Sequence, residues 1–290
     1  MSAITVWLSL WCVCDAVGRV IQTLPEKEPV WGVTSLDDHL FVLRDNTHFE
    51  QIEVYDINSF NLLRCFTVPG LGFRGADDIV ACGHNHCAYI SDWSHQSVHR
   101  LALPGGAVTQ WPVHDIPVRL SLTCTHSVLV SCRQIRKVKE FSTDGKLLHV
   151  LALPEDVMSP QHTIQLSSGQ YIVCHGRTVD PLLRICLLGS DGSVVKSFGG
   201  PPGSGSQQMN CPTHMAINRN EFVFVADVIN FRVLLLSPQL TYVREVVSHE
   251  QLRWRPVRVH LDSDRGRLYI ADNEYKDGAF RTGRVIVVSV

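Results

Sequence analysis

CPTHMAINRNEFVFVADVINFRVLLL, residues Cys211–Leu236, holds three apolar runs separated by turn chemistry. Met215-Ala216-Ile217 leads into the polar turn Asn218–Asn220, FVFVAD ends at Asp227, and a short loop, Val228–Phe231, precedes RVLLL. Runs of about five β-forming residues punctuated by Asn and Asp are the pattern of a small antiparallel sheet. The same phrase returns as RPVRVHLDSDRGRLYIADNEY (Arg255–Tyr275), and upstream as SPQHTIQLSSGQYIVCHG (Ser159–Gly176) and GADDIVACGHNHCAYISDW (Gly75–Trp93). A long repeat made mostly of strand predicts stacked or radial units rather than one ordinary core.

Working outward, six units can be laid out, starting near Val30, Gly75, Ile116, Ser159, Cys211 and Arg255. The equivalent positions Ala76, Pro117, Pro160, Pro212 and Pro256 are 41, 43, 52 and 44 residues apart (117−76, 160−117, 212−160, 256−212). The long step contains GGPPGSGSQQ (Gly199–Gln208), a Gly/Pro/Ser-rich connector. Units of about 40–45 residues with four strands each predict an all-β, six-bladed propeller of four-stranded antiparallel blades. The sixth unit shows three strands, and GRVIQTL (Gly18–Leu24) is available as its fourth. Pairing the two chain ends would close the ring and remove its exposed seam. Residues 18–290 are therefore expected to form one domain.

Residues 1–17 carry an uncharged apolar run, ITVWLSLWCVC (Ile4–Cys14), followed by Asp15-Ala16. The run has signal-peptide length but no Lys or Arg before it, and it is too short to span a bilayer as a helix. Its pattern matches the strand–turn–strand of Leu183–Phe198, so an extra β-segment is expected, with a signal-like segment as the alternative. Composition is that of a globular chain, with 45% apolar and 19% charged residues. A net charge of −2 provides no global basic field for nucleic acid. The ten cysteines include no C-x-x-C pair and most sit in apolar runs. That usage points to buried thiols in a reducing, cytoplasmic setting, with secretion as the alternative if residues 1–16 are a signal peptide.

With these units in view, the sequence resembles the NHL-repeat β-propellers. The best copy of that family's repeat is Pro212-Thr-His-Met, then Phe-Val-Ala-Asp227, then Asn230-Phe-Arg232-Val233. Tyr-Ile-Ala-Asp272-Asn273 and Tyr-Ile-Ser-Asp92-Trp93 are partial copies, whereas units three and four carry Cys132 and His175 where the aspartate belongs. The resemblance implies a binding platform, often the end of tripartite-motif ubiquitin ligases. No RING, B-box or coiled-coil pattern precedes the units, so ligase activity is not carried over. The chain reads as a stand-alone propeller or as the tail of a longer product. Some NHL propellers bind RNA, and propeller lyases and lactonase-type hydrolases hold metal near the axis.

In a propeller the first strand of each blade lines the channel. Residues aligned at its start here are Gly32, Asp78, Arg119, His162, His214 and Arg258. They would serve either as hydrogen-bonded loop residues or as a ligand-binding pocket suited to an anionic or hydrogen-bonding group. His162 and His214, on adjacent blades, are weak metal candidates, with His175 or Asp227 as further donors. Arg119 and Arg258 would repel a cation there, so neither metal nor cofactor is expected.

Asp92, Asp227 and Asp272, with Asp45 as a weaker fourth, end second strands. They are expected to be structural, accepting backbone N–H bonds from the following turn. The histidines of His84-Asn-His86, His95 and His99 disperse over turns and strands. Arg133, Arg136, Lys137 and Lys139 are the densest positive charge, a solvated edge or an RNA-contacting patch. No Gly-x-Ser-x-Gly elbow, phosphate loop or His-Glu-x-x-His appears. The sequence therefore points to a non-catalytic, monomeric platform that binds a protein or peptide. RNA binding and a metal-dependent lyase or lactonase are the alternatives, the last requiring metal that is lost on replacing His162 or His214.

Overall fold

The computed structural model describes residues 18–45, 50–71, 75–103 and 105–290, apart from the side chains of residues 45 and 50. The segment 1–17, with its expected extra strand or signal-like run, lies outside the described residues. The strands fall into six sheets of four antiparallel strands, five of them simple meanders. Their first strands are Val30–Leu36, Ala76–Cys82, Pro117–Leu122, Pro160–Gln165, Pro212–Ile217 and Arg255–Asp262. These six pack neighbour to neighbour in a ring, with the sixth against the first. Numbered in chain order, the sheets are blades 1 to 6 of a propeller.

The ring closes as its sequence predicts. Arg19–Thr23 pairs with the last strand, Ala279–Ser289, in the register Arg19↔Ser289, Val20↔Val288, Gln22↔Val287 and Thr23↔Ile286. Gln251 donates from Nε2 to the Gly18 carbonyl at 2.7 Å and ties the preceding loop to the closing strand. The two ends of the chain thus share one sheet, and the seam of the ring is pinned by backbone hydrogen bonds.

Packing explains the apolar runs. Second strands such as Cys87–Asp92, Val128–Cys132 and Val223–Asp227 are buried at every residue because neighbouring blades cover both faces. A strand covered on both sides reads as continuous Val, Ile, Leu and Ala rather than as an alternation. Between blades 4 and 5, Ile172 and Ile185 pack with Met215, Val225 and Leu234. Each such side chain contributes about 1.5–3 kcal/mol relative to exposure. Fourth strands such as Leu62–Thr67 and Leu147–Ala152 form the outer rim and are mostly exposed. Cys82, Cys87, Cys132, Cys174 and Cys186 are buried free thiols. Burial pushes Cys132 and Cys174 up to about 12, so they act as small hydrophobes rather than nucleophiles. No helix among the described residues is long and apolar enough to cross a membrane.

Two features depart from the sequence reading. Blade 6 carries a longer hairpin, its second and third strands running Arg267–Lys276 and Ala279–Ser289 around an Asp277-Gly278 turn at positive φ. In blade 1 the strand-end position that Asp92 holds in blade 2 belongs to Arg44. Val30 pairs with Arg44 in the same way that Ala76 pairs with Asp92. Asp45 sits one residue further along, where its backbone pairs with Glu50, and its side chain lies outside the described residues.

Candidate functional site

Every first strand has a register irregularity at the same aligned place, near its start. It falls between Val30 and Gly32, Ala76 and Asp78, Pro117 and Leu120, Pro160 and His162, Pro212 and His214, and Pro256 and Arg258. A bulge re-aims a side chain that regular alternation would send to the opposite face. Its repetition brings the aligned residues to one level of the channel, together with Asp77, which alignment alone had passed over.

Asp77 is the hub of that level. Its carboxylate pairs with the Arg119 guanidinium of blade 3. It also receives Arg258 Nη2 of blade 6 at 3.1 Å, and that same group donates to the Asp77 carbonyl. Asp78 Oδ2 accepts the Leu120 N–H at 2.9 Å and lies 3.5 Å from His214 Nε2. Asp78 Oδ1 lies 3.5 Å from Arg258 Nε. Burial draws the Arg258 guanidinium down to about 10, so it stays cationic at neutral pH. Two carboxylates thus balance two guanidiniums across the channel, and this plug joins blades 2, 3, 5 and 6.

The two histidines meet, as their adjacent blades suggested, with rings stacked at 4.1 Å and 13°. Both are buried and held well below their ordinary pKa, first by desolvation, then by the facing His214 ring for His162 and by Arg258 for His214. His162 Nδ1 accepts the Met215 N–H at 3.2 Å, which leaves Nε2 to donate to the Leu120 carbonyl at 3.1 Å. Neither His162 nitrogen retains a free lone pair for a metal ion. His175 and Asp227 do not join the pair. His175 contacts Arg184 Nε at 3.3 Å, and Asp227 serves its own blade corner. Among the described residues no three His, Cys, Asp or Glu side chains stand together as a cation site.

Further along the first strands, the channel holds a cavity of about 180 Å³ roofed by His162 and His214. Its walls combine apolar residues, Val33, Ile79, Met215 and Val259 among them, with Thr34, Ser121 and His260. Polar residues at this depth stitch neighbouring blades together. Thr34 accepts the Ala81 N–H at 3.1 Å, Ser121 donates to the Thr163 carbonyl at 2.6 Å, and His260 Nε2 accepts the Ser35 N–H at 3.0 Å.

The aspartates at strand ends hold corners, though not all in the way expected. Asp92 Oδ1 accepts from the following turn, Ser94 N–H and His95 N–H each at 3.0 Å. His95 and His99 both approach its Oδ2, at 2.9 and 3.2 Å. Asp227 and Asp272 instead accept from the loop that enters the blade, Asn210 N–H at 2.7 Å and Trp254 N–H at 2.9 Å. Asp227 also receives Asn230 Nδ2 and Arg232 Nε, each at 2.8 Å. Asn230 and Arg232 in turn bind carbonyls of Gly203, Ser204 and Gln208. The Asp…Asn-x-Arg pattern is thus a clamp on the Gly/Pro/Ser-rich connector.

The basic run does not form one patch. Lys139 Nζ donates to the Val113 carbonyl at 2.6 Å, Arg136 leans on the Glu155 carbonyl at 3.4 Å, and Lys137 lies on the third strand of blade 3. Arg133 turns to the mouth where the first strands begin. There it lines a depression of about 300 Å³ with Asp77, Trp93, Ile116 and Val118. Its Nε is buried without an acceptor among the described residues, and Trp93 is 46% exposed. The extended hairpin of blade 6 brings aromatics to this end of the ring. Phe280 meets Trp31 edge-on at 5.4 Å, and Arg255 lies 4.3 Å over Tyr275. Only the length of that hairpin, absent from the sequence reading, would have pointed to them.

These features define a six-bladed β-propeller with a plugged channel and a basic, aromatic mouth. No protein-family model matches the chain, and no curated protein matches it by sequence. Solved structures match it by shape. Virginiamycin B lyase from Staphylococcus aureus superposes with a TM-score of 0.64 at 10% identity, over 92% of this chain and 99% of that one. A streptogramin B lyase gives 0.63 at 11% over 93% and 99%, and the WD40 propeller domain of Doa1 gives 0.61 at 11% over 93% and 96%. Lyases and WD40 domains share the shape, so at these identities the likeness establishes the fold alone.

Proposed function

We propose that the chain is an NHL-type propeller serving as a non-catalytic binding platform, with a protein or peptide partner held at the mouth where the first strands begin. One observation carries the reading. The ionisable groups of the channel are engaged with one another, Asp77 with Arg119 and Arg258 and His162 with two backbone groups, whereas Trp93 and Arg133 just outside face an open depression. Trp and Arg in a partly desolvated recess are the residue types that dominate binding energy at protein interfaces. A chemical role for His162 would first require breaking the two bonds that hold its ring. The buried free thiols suit a reducing, cytoplasmic setting.

Capture with the whole chain tests this. Partners should be retained at moderate salt, lost from Trp93→Ala, and kept by Lys196→Ala on the outer rim of blade 4. Equal retention by Trp93→Ala and the parent would overturn the assignment of this mouth. Retention of RNA alone, falling steeply with salt, would replace the reading with the nucleic-acid one.

A further inference from the structure

We infer that this mouth recognises an acidic peptide segment, placing Asp or Glu carboxylates against Arg133 and Arg177 and an apolar side chain against Trp93. The inference rests on the platform reading and specifies its partner. Guanidiniums are crowded here. Arg133 is influenced by Arg119 and Arg177 as well as by Asp77, and Cys211 by Arg119, Arg177 and Arg255. The carboxylates at the channel level are engaged: Asp77 is shared by Arg119 and Arg258, and Asp78 holds the Leu120 N–H. Asp180, three residues from Arg177, accepts the Arg177 backbone N–H at 2.7 Å and closes its own turn. Burial at Arg133 penalises its charge, and its Nε has no acceptor among the described residues. A carboxylate entering the recess that Arg133 lines would offset that penalty through a charge-assisted hydrogen bond in a partly desolvated site.

Shape and overall charge narrow the partner class. A recess of about 300 Å³ that opens beside exposed Trp93 has room for side chains of a passing segment and stands at the small end of ligand pockets. The chain carries only −2 overall, and at the mouth Arg133 lines a recess whose one acidic lining residue, Asp77, is already shared by two guanidiniums. Such complementarity selects an acidic partner and speeds its encounter. A polyanion would need a continuous basic track, and Arg136 and Lys139 are tied to carbonyls of blade 3 and its flanking loops instead.

The test is selection of a phage-displayed random heptapeptide library on the whole chain, followed by fluorescence anisotropy with the enriched peptide. Asp and Glu should be enriched beside an apolar residue. Binding should weaken with salt and fall about tenfold or more in Arg177→Glu, in Arg133→Glu and in Trp93→Ala, but not in Lys196→Glu. Arg177 is exposed, so its variant tests the inference even if Arg133→Glu disturbs folding. Enrichment of peptides lacking acidic residues would overturn the acidic partner and leave the platform standing. Enrichment of no peptide would overturn both.

Discussion

Arg258 of blade 6 reaches Asp77 of blade 2 across the channel, its Nη2 3.1 Å from Asp77 Oδ1, past the position where blade 1 carries only Gly32. A Cβ at Gly32 would lie 2.5 Å from Ile79 Cγ2 and 2.9 Å from the Ile79 backbone nitrogen, so the first two inner strands approach too closely for any side chain there. The glycine therefore permits the close approach of blades 1 and 2 at this level. Breaking one member of a buried ion cluster strands the others. Arg258→Leu is expected to destabilise the fold by about 3 kcal/mol, read as a shift of the urea midpoint at constant slope. Adding Asp78→Asn should recover part of that loss, because a buried carboxylate no longer lacks its cation. If the double variant were less stable than the single one, Asp78 would not be part of the plug.

The plug also shows where sequence stops being informative. Strand number, blade number and the closing strand were legible because β-runs alternate with turn residues and the sixth unit visibly lacked a strand. The level occupied by Asp78, Arg119, His162, His214 and Arg258 was legible because the repeat aligns them. Asp77 was not, because a bulge adds one residue without leaving a mark in composition, and one residue is enough to change which side chain faces the axis. The same offset explains blade 1, where the reading favoured Asp45 but the ladder places Arg44 at the corner. There the charges are inverted: buried Arg44 pairs with Glu53 at 2.6 Å and donates to the Glu28 carbonyl at 2.7 Å. The clamp of Asp227 on the connector could be read as a pattern, but its target could not, since a Gly/Pro/Ser-rich loop carries no periodicity to locate it.

Acid should weaken the fold through its histidines. His162 and His214 are held well below their ordinary pKa, and His175 and His260 are lowered to about 4, desolvation being the first cause in each. Above pH 6.5 these groups are neutral in both folded and unfolded chains and add no pH dependence. Below 6.5 the unfolded chain binds protons that the folded one refuses, so stability falls as pH falls, by about 1.4 kcal/mol per unit for each such histidine. The loss from His175 and His260 should level off near pH 4. Asp227 and Asp272, pushed up by burial, work in the opposite sense, from their raised folded values down to the ordinary carboxylate range. Urea midpoints should be nearly flat from pH 7 to 8 and decline steadily from 6.5 to 4.5. A flat profile across that lower window would contradict the buried neutral state.

Asp227 should matter for stability rather than recognition. Asp227→Ala removes the acceptor of Asn210 N–H, Asn230 Nδ2 and Arg232 Nε, and leaves the buried Arg232 without its carboxylate. A loss of about 3 kcal/mol is expected, in the range for breaking a buried ion pair. Proteolysis should then begin in the released connector, residues 201–208, before the rest of the chain is cut. Peptide affinity at the Trp93 mouth, measured below the new unfolding midpoint, should stay within about twofold, because distant independent sites add. A large affinity loss with unchanged stability would place Asp227 in the binding surface instead.

The seam between blades 6 and 1 rests on a side chain acting as a strand. Asn273 Oδ1 accepts the Val30 N–H at 3.0 Å while its Nδ2 donates to the Val30 carbonyl at 2.9 Å, so one amide supplies both bonds of a ladder step. Asn273 is fully buried, and a Cβ at Gly283 would fall 2.2 Å from its Oδ1, which fixes where the amide sits. Asp in its place keeps the acceptor but sets an oxygen against the Val30 carbonyl, and Ala leaves both Val30 groups unsatisfied. Asn273→Ala should cost about 2 kcal/mol, and Asn273→Asp at least as much at neutral pH, because a buried charge then lacks a donor. Lowering pH toward 4 should narrow the gap between the two variants as the new carboxyl takes up a proton and becomes a donor again. Stability measured for both variants at pH 7 and pH 4.5 checks the argument. A gap that stayed constant would mean that Asn273 fills space at the seam without carrying its hydrogen bonds.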